Sequence, residues 1–297
     1  MMLSPLYVGM IRKIKAYMQN RRGASIQQPY ADLWKLFHKD EVIATDASWI
    51  FLWVPYLLFG ITLFLFMSIS VFPFFDPGGT FTDFIVVVGL LGLIAFLLSL
   101  AGIDSGSGFG GFGSSREMTL AALTEGTLFF SFLPVALITH ATNLIIMSQM
   151  VINLPMGNYL PVLIAFLGYF IALMCETGRI PFDNAATHLE LTMIHEAMIL
   201  EYSGKRLALI EWASANKFLL FILLGIQVFF PWTPTLTTLP LLSIFFSIFF
   251  FLLKSFVLVG IIGIIESSIA KLRFFRLPDL LLTGFIFGVI ALIISEL

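Results

Sequence analysis

The chain has 297 residues, of which 59% are hydrophobic and only 11% are charged, and its net charge is −2. Soluble domains are about one quarter charged on average, so this composition indicates a polytopic membrane protein. There is no basic tail, and nothing in the charge balance points to nucleic acid. The single cysteine, Cys175, excludes an intrachain disulfide and an iron–sulfur cluster held by this chain alone, which takes about four thiolates.

The first residues form an apolar run that is too short to cross a bilayer. It covers residues 2–11, whereas a spanning helix needs about 20 residues. We interpret it as the last turns of a spanning helix whose beginning is absent, and the alternative is a short interfacial anchor. Basic residues follow this run instead of preceding it, so no cleavable signal peptide is evident. Apolar side chains at spacings of three to four residues then predict an amphipathic surface helix over 31–39.

Long apolar runs, several of them bounded by proline and glycine, predict transmembrane helices along the rest of the chain. They lie at about 49–72, 81–101, 119–140, 159–176, 210–230, 239–265 and 277–295. We therefore predict an all-α, polytopic membrane helical bundle that forms a single integral membrane domain over 1–297. Its polar segments are 12–47, 102–118, 177–209 and 266–276.

Lysine and arginine are distributed unevenly between the loops. All of them lie in the four polar segments except Lys217 and Lys254, which lie within predicted spans. The intervening loops hold none. The positive-inside rule therefore predicts that the basic loops face the cytoplasm and that the C terminus lies outside.

A glycine-rich segment precedes the third predicted span. It is not a phosphate-binding P-loop, because no Gly-Lys-Ser/Thr follows the glycines. Ser114 and Glu117 have the spacing of a capping box, so a helix is predicted to start there. Glu117 is then explained equally well as a cap partner or as a functional acid. Glu125 lies two turns further toward the bilayer, which favours a functional role.

The stretch from Glu176 to Trp212 is the most polar part of the chain next to the spans. Polar groups near a bilayer core are costly and usually face a bundle interior or a water-filled cavity. We therefore predict that this stretch carries the functional residues. Pro181 predicts that the preceding helix stops before it. A second capping box predicts a helix from Thr187 to about Tyr202.

On that predicted helix the acids and the histidines fall on different faces. Glu190 and Glu201 share one face, His188 and His195 share another, and Glu196 lies on neither. Polar residues all round indicate a helix packed among other elements, with its carboxylates turned toward a cavity or a partner.

Metal and nucleophile chemistry find no matching pattern. The pair His195-Glu196 lacks the second histidine of a zinc-protease motif, because position 199 is Ile199. We interpret the histidines as packed or partner-contacting residues. No Ser/His/Asp or Cys/His set is evident, so we expect no catalytic nucleophile.

A lysine lies deep in the sixth predicted span. Lys254 there needs a counter-charge, a water channel or deprotonation. Glu266 follows about three turns later, near the cytoplasmic end. Acids, histidines and a lysine spread through one bundle are the groups that a proton path requires.

Four segments carry a family resemblance: QNRRGASIQQPYADLWKLFHKDE, GSSREMTLAALTE, ETGRIPFDNAATHLEL with EYSG, and ESSIAKLRFFRLPDLL. They resemble the subunit 1 family of respiratory complex I and its relatives in membrane-bound [NiFe] hydrogenases, over nearly the whole chain. The form THLELTMIHEAMILEYSG is more similar to formate hydrogenlyase subunit 4 and hydrogenase 4 component C. Complex I members usually carry a shorter acidic run before EYSG.

The resemblance implies eight spanning helices, the first of which is largely missing here, with amphipathic helices on the cytoplasmic side. With the residues singled out above, it implies a charged cavity or proton path formed by Glu176, Arg179, Asp183, Glu190, Glu196, Glu201, Asp104, Glu117, Glu125, Lys254 and Glu266. The residues expected to contact partners are Arg21, Arg22, His188, His195 and Arg206.

The resemblance further implies a non-catalytic subunit of an oxidoreductase complex in the cell inner membrane. The expected role is membrane anchor and proton-coupling subunit of a membrane-bound [NiFe] hydrogenase or formate hydrogenlyase-like complex. Its partners would be the hydrogenase large subunit, a small iron–sulfur subunit, antiporter-like membrane subunits and the lipid bilayer. The nickel–iron centre and iron–sulfur clusters would lie in those partners, with no cofactor bound by this chain.

Two other functions remain open on the sequence. The first is the quinone-binding subunit 1 of an NADH:quinone oxidoreductase, in which quinone would be bound. The second is an independent ion transporter, which ion flux through this chain alone in liposomes would support. We see no inverted repeats of the transporter kind.

Overall fold

A computed structural model describes residues 1–44, 47–69, 82–155, 159–183, 193–232 and 240–296. Within these ranges the chain is helical and contains no β-strand. The helices are α1 Ser4–Met18, α2 Gln28–Phe37, α3 Trp49–Ser68, α4 Phe84–Asp104, α5 Gly108–Thr139, α6 Leu144–Ile152, α7 Leu160–Glu176, α8 His195–Ile199, α9 Gly204–Phe229, α10 Pro240–Ser268 and α11 Leu277–Ser295. The predicted all-α membrane bundle is confirmed.

Six of the described helices are long and apolar enough to cross a membrane, namely α3, α4, α5, α9, α10 and α11. Helix α7 is shorter, at 17 residues, and packs against α5, α9 and α11. Helix α9 is the most enclosed of these six helices. In its most apolar stretch of 18 residues 72% is buried, whereas the corresponding stretches of α10 and of α11 are each 28% buried. The bundle therefore surrounds α9, and this helix carries Lys217, one of the charged side chains described below.

The N-terminal helix is part of the bundle. Helix α1 continues to Met18, beyond the apolar run, and packs on α9 and α10. Its Tyr7 hydroxyl lies 2.7 Å from the Ser255 Oγ in α10, and its Ser4 Oγ donates to the Asn216 Oδ1 in α9 at 2.6 Å. Helix α2 confirms the predicted amphipathic helix, with Leu33 buried toward α9 and Trp34 69% exposed.

The capping box predicted at Ser114 and Glu117 is wrong. Helix α5 starts at Gly108, and the Ser114 hydroxyl donates to the Gly110 carbonyl within the helix at 2.8 Å. The glycines permit close packing here, because a Cβ on Gly113 would lie 2.8 Å from the Ala197 Cβ of α8. Tertiary packing thus overrides the low helix propensity of this segment.

The helix predicted from Thr187 to Tyr202 is only partly comparable with the structure, since 184–192 lies outside the described residues. Met193 and Ile194 are not helical, and α8 runs only from His195 to Ile199. The continuous helix is therefore wrong at its described N-terminal side. Helix α6 lies where the sequence indicates a loop. It starts at Leu144 and is capped by Asn143, whose Oδ1 accepts from the Ile145 N–H at 2.9 Å.

The bundle has two chemically different ends. At one end, which we call the polar end, the last residues of α1, α4, α7 and α10 meet the first residues of α3, α5, α9 and α11. At the opposite end, the start of α4 meets the end of α5 through a backbone bridge between Asp83 and Asn143. The described parts of the four basic segments therefore gather at one end of the bundle.

Candidate functional site: a charged cavity at the polar end

A cavity of about 480 Å³ opens at the polar end among α1, α2, α4, α8, α9, α10 and the segment that follows α7. Apolar side chains such as Val8, Leu98 and Phe218 share its wall with ionised ones. Six of the residues predicted from the sequence line it: Arg21, Arg179, Asp183, His195, Glu196 and Glu266. Residues from distant parts of the sequence therefore converge on one cavity.

Glu266 is the most enclosed carboxylate of the cavity wall, with 2% of its side chain exposed. Its Oε2 lies 2.9 Å from the Lys15 Nζ, and its Oε1 lies 3.3 Å from the Arg179 Nη1. The Arg179 guanidinium also stacks 4.4 Å from the centre of the Phe218 ring. Burial lowers the pKa of Arg179, and the Glu266 carboxylate offsets only part of that effect. Two cations thus compensate one buried carboxylate and tie α1 and the segment after α7 to the end of α10.

Asp183 joins three loops. Its Oδ1 lies 2.7 Å from the Lys271 Nζ, and its Oδ2 accepts hydrogen bonds from the backbone N–H groups of Ile194 and His195, each at 3.2 Å. A carboxylate that accepts backbone N–H groups at the start of α8 also interacts favourably with that helix end. Asp183 therefore positions His195 on the cavity wall.

His195 is paired with a carboxylate from α5. Its Nδ1 lies 3.1 Å from the Glu117 Oε2, and its ring packs on Gly178, whose φ of +58° lies in the left-handed region that favours glycine. Burial lowers the pKa of His195, but the Glu117 charge outweighs burial and raises it to about 9. The imidazole is therefore protonated at neutral pH and forms an ion pair with Glu117.

A second ion pair lies deeper in the bundle. The Lys217 Nζ of α9 lies 2.5 Å from the Glu176 Oε2 at the end of α7, and both residues are buried, at 7% and 4% exposure. Lys217 also interacts electrostatically with Glu117 and with Glu125. Glu125 is half-buried against Gly92, where an added Cβ would lie 2.3 Å from its Oε1. With glycine at position 92 the carboxylate lies directly against α4, and a larger residue there would displace the Glu125 side chain.

These contacts place the ionisable groups in a row. From the cavity inward the order is Asp183, His195, Glu117, Lys217, Glu176 and Glu125. We call this row the buried charge row. Its histidine and carboxyl groups can change charge state, and Lys217 supplies a positive charge between them. Neighbouring members are in contact or interact electrostatically, and proton exchange between them would pass through hydrogen bonds or water.

Lys217, Lys15 and Lys271 are the cations of this network that the sequence did not single out. The sequence marks Lys217 only as a cation within a span. Its signal is the cost of an ammonium in an apolar helix, which calls for a buried acid on a neighbouring helix. Lys15 lies among other basic residues, and nothing local distinguishes it from them.

Several predicted residues have other surroundings. The Asp104 Oδ2 accepts from the Ser48 and Phe51 N–H groups, each at 3.0 Å, and so caps the start of α3. Arg206 pairs within the chain with Glu41, whose Oε2 lies 2.6 Å from its Nη1. Both contacts hold polar-end segments in place.

The remaining predicted residues lie away from the buried charge row or outside the described ranges. Lys254 lies at the opposite end, where its ammonium donates to the carbonyls of Phe230, at 2.8 Å, and of Trp232. Glu201 and Arg22 are exposed. His188 and Glu190 lie outside the described residues.

The described residues include no group of three or more histidine, cysteine or acidic side chains that could hold a metal ion. Two carboxylates of the cavity wall, Glu266 and Asp183, are paired with lysine or arginine. The chemistry available to these side chains is charge compensation and proton exchange.

The fold and the site define a multi-pass helical membrane protein with a charged cavity at one end of its bundle. The sequence model of a family described as NADH dehydrogenase matches residues 1–296. The chain belongs to this family, and the resemblance seen in its motifs is confirmed.

Relatives span almost the whole chain. It is 35% identical to hydrogenase-4 component C of Escherichia coli (strain K12), over 98% of this chain and 91% of that protein. It is 28% identical to formate hydrogenlyase subunit 4 of the same organism, over 98% and 94%. It is also 28% identical to one subunit of the NADH-quinone oxidoreductase of Rubrobacter xylanophilus, over 91% and 82%.

A solved structure shares the fold. A chain of the membrane-bound sulfane sulfur reductase (MBS), an archaeal respiratory membrane complex, superposes with a TM-score of 0.86 over 99% of this chain and 95% of that one. The sequence identity is 22%, so this likeness supports the architecture alone.

Proposed function

We propose that this chain is the membrane anchor and proton-coupling subunit of a membrane-bound [NiFe] hydrogenase or formate hydrogenlyase-like complex. The similarity to hydrogenase-4 component C and formate hydrogenlyase subunit 4 over nearly full length supports this kind of complex. The observation that carries the coupling role is the buried charge row, which leads from the cavity toward Glu125 inside the bundle.

The polar end is the proposed docking face. The hydrogenase large subunit and the small iron–sulfur subunit would sit over the cavity, with the nickel–iron centre and the clusters in those partners. Exposed arginines such as Arg21 and Arg22 flank this end. By the positive-inside rule this face is cytoplasmic in the inner membrane, and the C terminus lies outside.

The proposed mechanism uses the charge row as a sensor of events in the docked partner. Proton reduction in the partner removes protons next to the cavity and changes the charge near His195 and Asp183. Because the row is electrostatically linked, this change shifts the protonation of Glu117, Glu176 and Glu125. Antiporter-like subunits that meet this chain in the bilayer would receive the protonation change.

The test is Glu125→Gln in the intact complex, purified through a tag on this chain and also assayed in inverted membrane vesicles. Glutamine keeps the shape but cannot ionise, so we expect assembly to persist. The protons translocated per hydrogen molecule should fall at least several-fold. The matched control is Asp279→Asn, because Asp279 is exposed at the start of α11. An unchanged ratio in Glu125→Gln would remove Glu125 from the path.

Metal analysis of the same preparation tests the kind of complex. Nickel together with iron and a hydrogenase-like large subunit is the expected result. Flavin and iron without nickel would instead identify the partners as those of a quinone reductase.

The cavity supports one second candidate, the quinone-binding role. Its apolar wall residues, among them Val8, Ile11, Leu33, Leu98 and Phe218, would suit an isoprenoid tail, and the charged wall would face the headgroup. Hydrophobic quinone-site inhibitors distinguish the two roles, because a quinone reductase is blocked by them and hydrogen evolution is not.

A further inference from the structure

Lys217 is a cation enclosed by apolar helix. Its side chain is 9% exposed, and its neighbours Asn216, Phe218 and Leu220 are each buried to 1% exposure or less. The ammonium is paired with the Glu176 carboxylate at 2.5 Å. A buried ion pair is weak evidence for stability, because well-packed apolar residues of similar volume are often at least as stable. Folding stability alone therefore does not explain why this ion pair is buried here.

The position of Lys217 indicates a role for its charge, because acids lie on both sides of it. Toward the cavity is Glu117, which is held by His195. Toward the interior is Glu125, whose neighbour Thr124 donates to the Cys175 Sγ at 3.3 Å and so brings this level of α5 beside Glu176. Lys217 acts electrostatically on both outer acids while it contacts Glu176.

We infer that Lys217 is the positioning residue of the buried charge row, a permanent counter-charge that always neutralises one carboxylate and so leaves an adjacent one able to accept a proton. This inference rests on the proposed function and names the residue whose charge compensates the ionised carboxylate of the row at each step.

The proton balance is simple. When Glu176 is ionised, the Lys217 ammonium neutralises it, as in the structure. When a proton passes from the Glu117 carboxyl group to Glu176, Glu117 becomes a carboxylate and Glu176 becomes a neutral acid, and the ammonium is then attracted by the Glu117 and Glu125 carboxylates. When the proton passes from Glu176 to Glu125, Glu176 is an anion again and regains Lys217. Lysine itself neither gains nor loses a proton in any step.

The test separates this role from a structural one by removing the ion pair one partner at a time and then as a whole. K217M leaves Glu176 buried without its cation, so assembly in mild detergent should fall. In K217M/E176Q both charges are gone, and assembly should recover. If Lys217 positions the row, the double variant should still translocate at least ten-fold fewer protons per hydrogen molecule than wild type. Recovery of that ratio together with assembly would overturn the inference.

K217R is the second variant, and it tests the counter-charge role of Lys217 if the double variant does not assemble. Arginine keeps the charge and cannot deprotonate, so a permanent counter-charge predicts that more than half of the translocation ratio is retained. An assembled K217R complex that loses the ratio would overturn the inference. K205M is the matched control, since Lys205 is exposed on the same helix.

Glu125→Gln distinguishes failure of this inference from failure of the proposed function. A ratio lowered in Glu125→Gln but unchanged in K217M/E176Q would leave Glu125 in the path and remove both Lys217 and Glu176 from it. Unchanged ratios in both would overturn the path and the inference together.

Discussion

The two ends of the bundle solve the problem of polar groups in different ways. At the polar end, Glu266, Asp183 and Glu176 each pair with a cation from another part of the chain, and two of these carboxylates line an open cavity. At the opposite end, Asn143 and Lys254 satisfy the backbone groups of helix termini. Ionic interactions therefore join separate parts of the chain at the polar end, whereas Asn143 and Lys254 cap helix termini at the opposite end. Substitutions should have larger and more pH-dependent effects at the polar end.

The largest expected effect is that of Glu266→Gln. This change leaves Lys15 and Arg179 without their buried carboxylate, which costs about 3–5 kcal/mol when one partner of a buried pair is lost. We expect a lower midpoint of thermal inactivation for the complex and faster hydrogen exchange in α1. Glu296→Gln, at an exposed acid of the opposite end, is the control. Equal midpoints for the two variants would show that this ion-pair network does not stabilise the polar end.

Raising the pH should weaken the polar end selectively. The pKa of His195 is raised from 6.5 to about 9, so the stability gained from its pair with Glu117 is complete below pH 6.5 and is lost as the pH rises through about 9. A quarter of this side chain is exposed, so we discount the loss to about 2 kcal/mol. The protection factors of the α8 amides, which are corrected for the base-catalysed rise in intrinsic exchange, should therefore fall between pH 7 and pH 10.

The comparison with His195→Gln assigns that pH dependence. Glutamine cannot titrate in this range, so the variant should exchange quickly at both pH values. The same pH response in wild type and variant would mean that another group controls α8.

The sequence predicted the two ends better than it predicted the contacts within them. Runs of about 20 apolar residues leave few alternatives to a spanning helix, so the spans and the grouping of basic loops were readable from local pattern. The partners of Glu266 were not, because Lys15 lies at the other extreme of the chain and looks like any exposed basic residue. Which acid a cation meets is decided by packing.

The local sequence pattern gave wrong predictions where tertiary packing overrides helix propensity. The glycines of α5 indicated a loop, but they form a helix because Gly110 and Gly113 approach neighbouring elements too closely for a side chain. The sequence predicted Asp104 as an acid of the charged cavity, yet its carboxylate accepts hydrogen bonds from two backbone N–H groups. A charged residue near a site is thus only a candidate until its hydrogen bonds are known.

At the opposite end, Lys254→Met should have a smaller effect. It removes the donor that serves the carbonyls of Phe230 and Trp232 after α9, which costs about 1–2 kcal/mol. Lys254→Arg keeps a donor and should lose less. The sequence also predicted Lys254 as a member of the proton path. A fall in protons translocated per hydrogen molecule, in both variants and without a change in thermal midpoint, would support that prediction over the capping role.

The smallest expected effect is that of Asp104→Ala, which tests whether an acid at the polar end can serve only secondary structure. Its carboxylate accepts from two N–H groups at the start of α3, and loss of such a cap costs about 1 kcal/mol. Asp104→Asn keeps an acceptor oxygen without the charge. If Asp104 is only a cap, the asparagine variant should match wild type in thermal midpoint and in proton translocation. An asparagine variant with normal stability but reduced translocation would place Asp104 in the buried charge row, because charge would then be the property that the site needs.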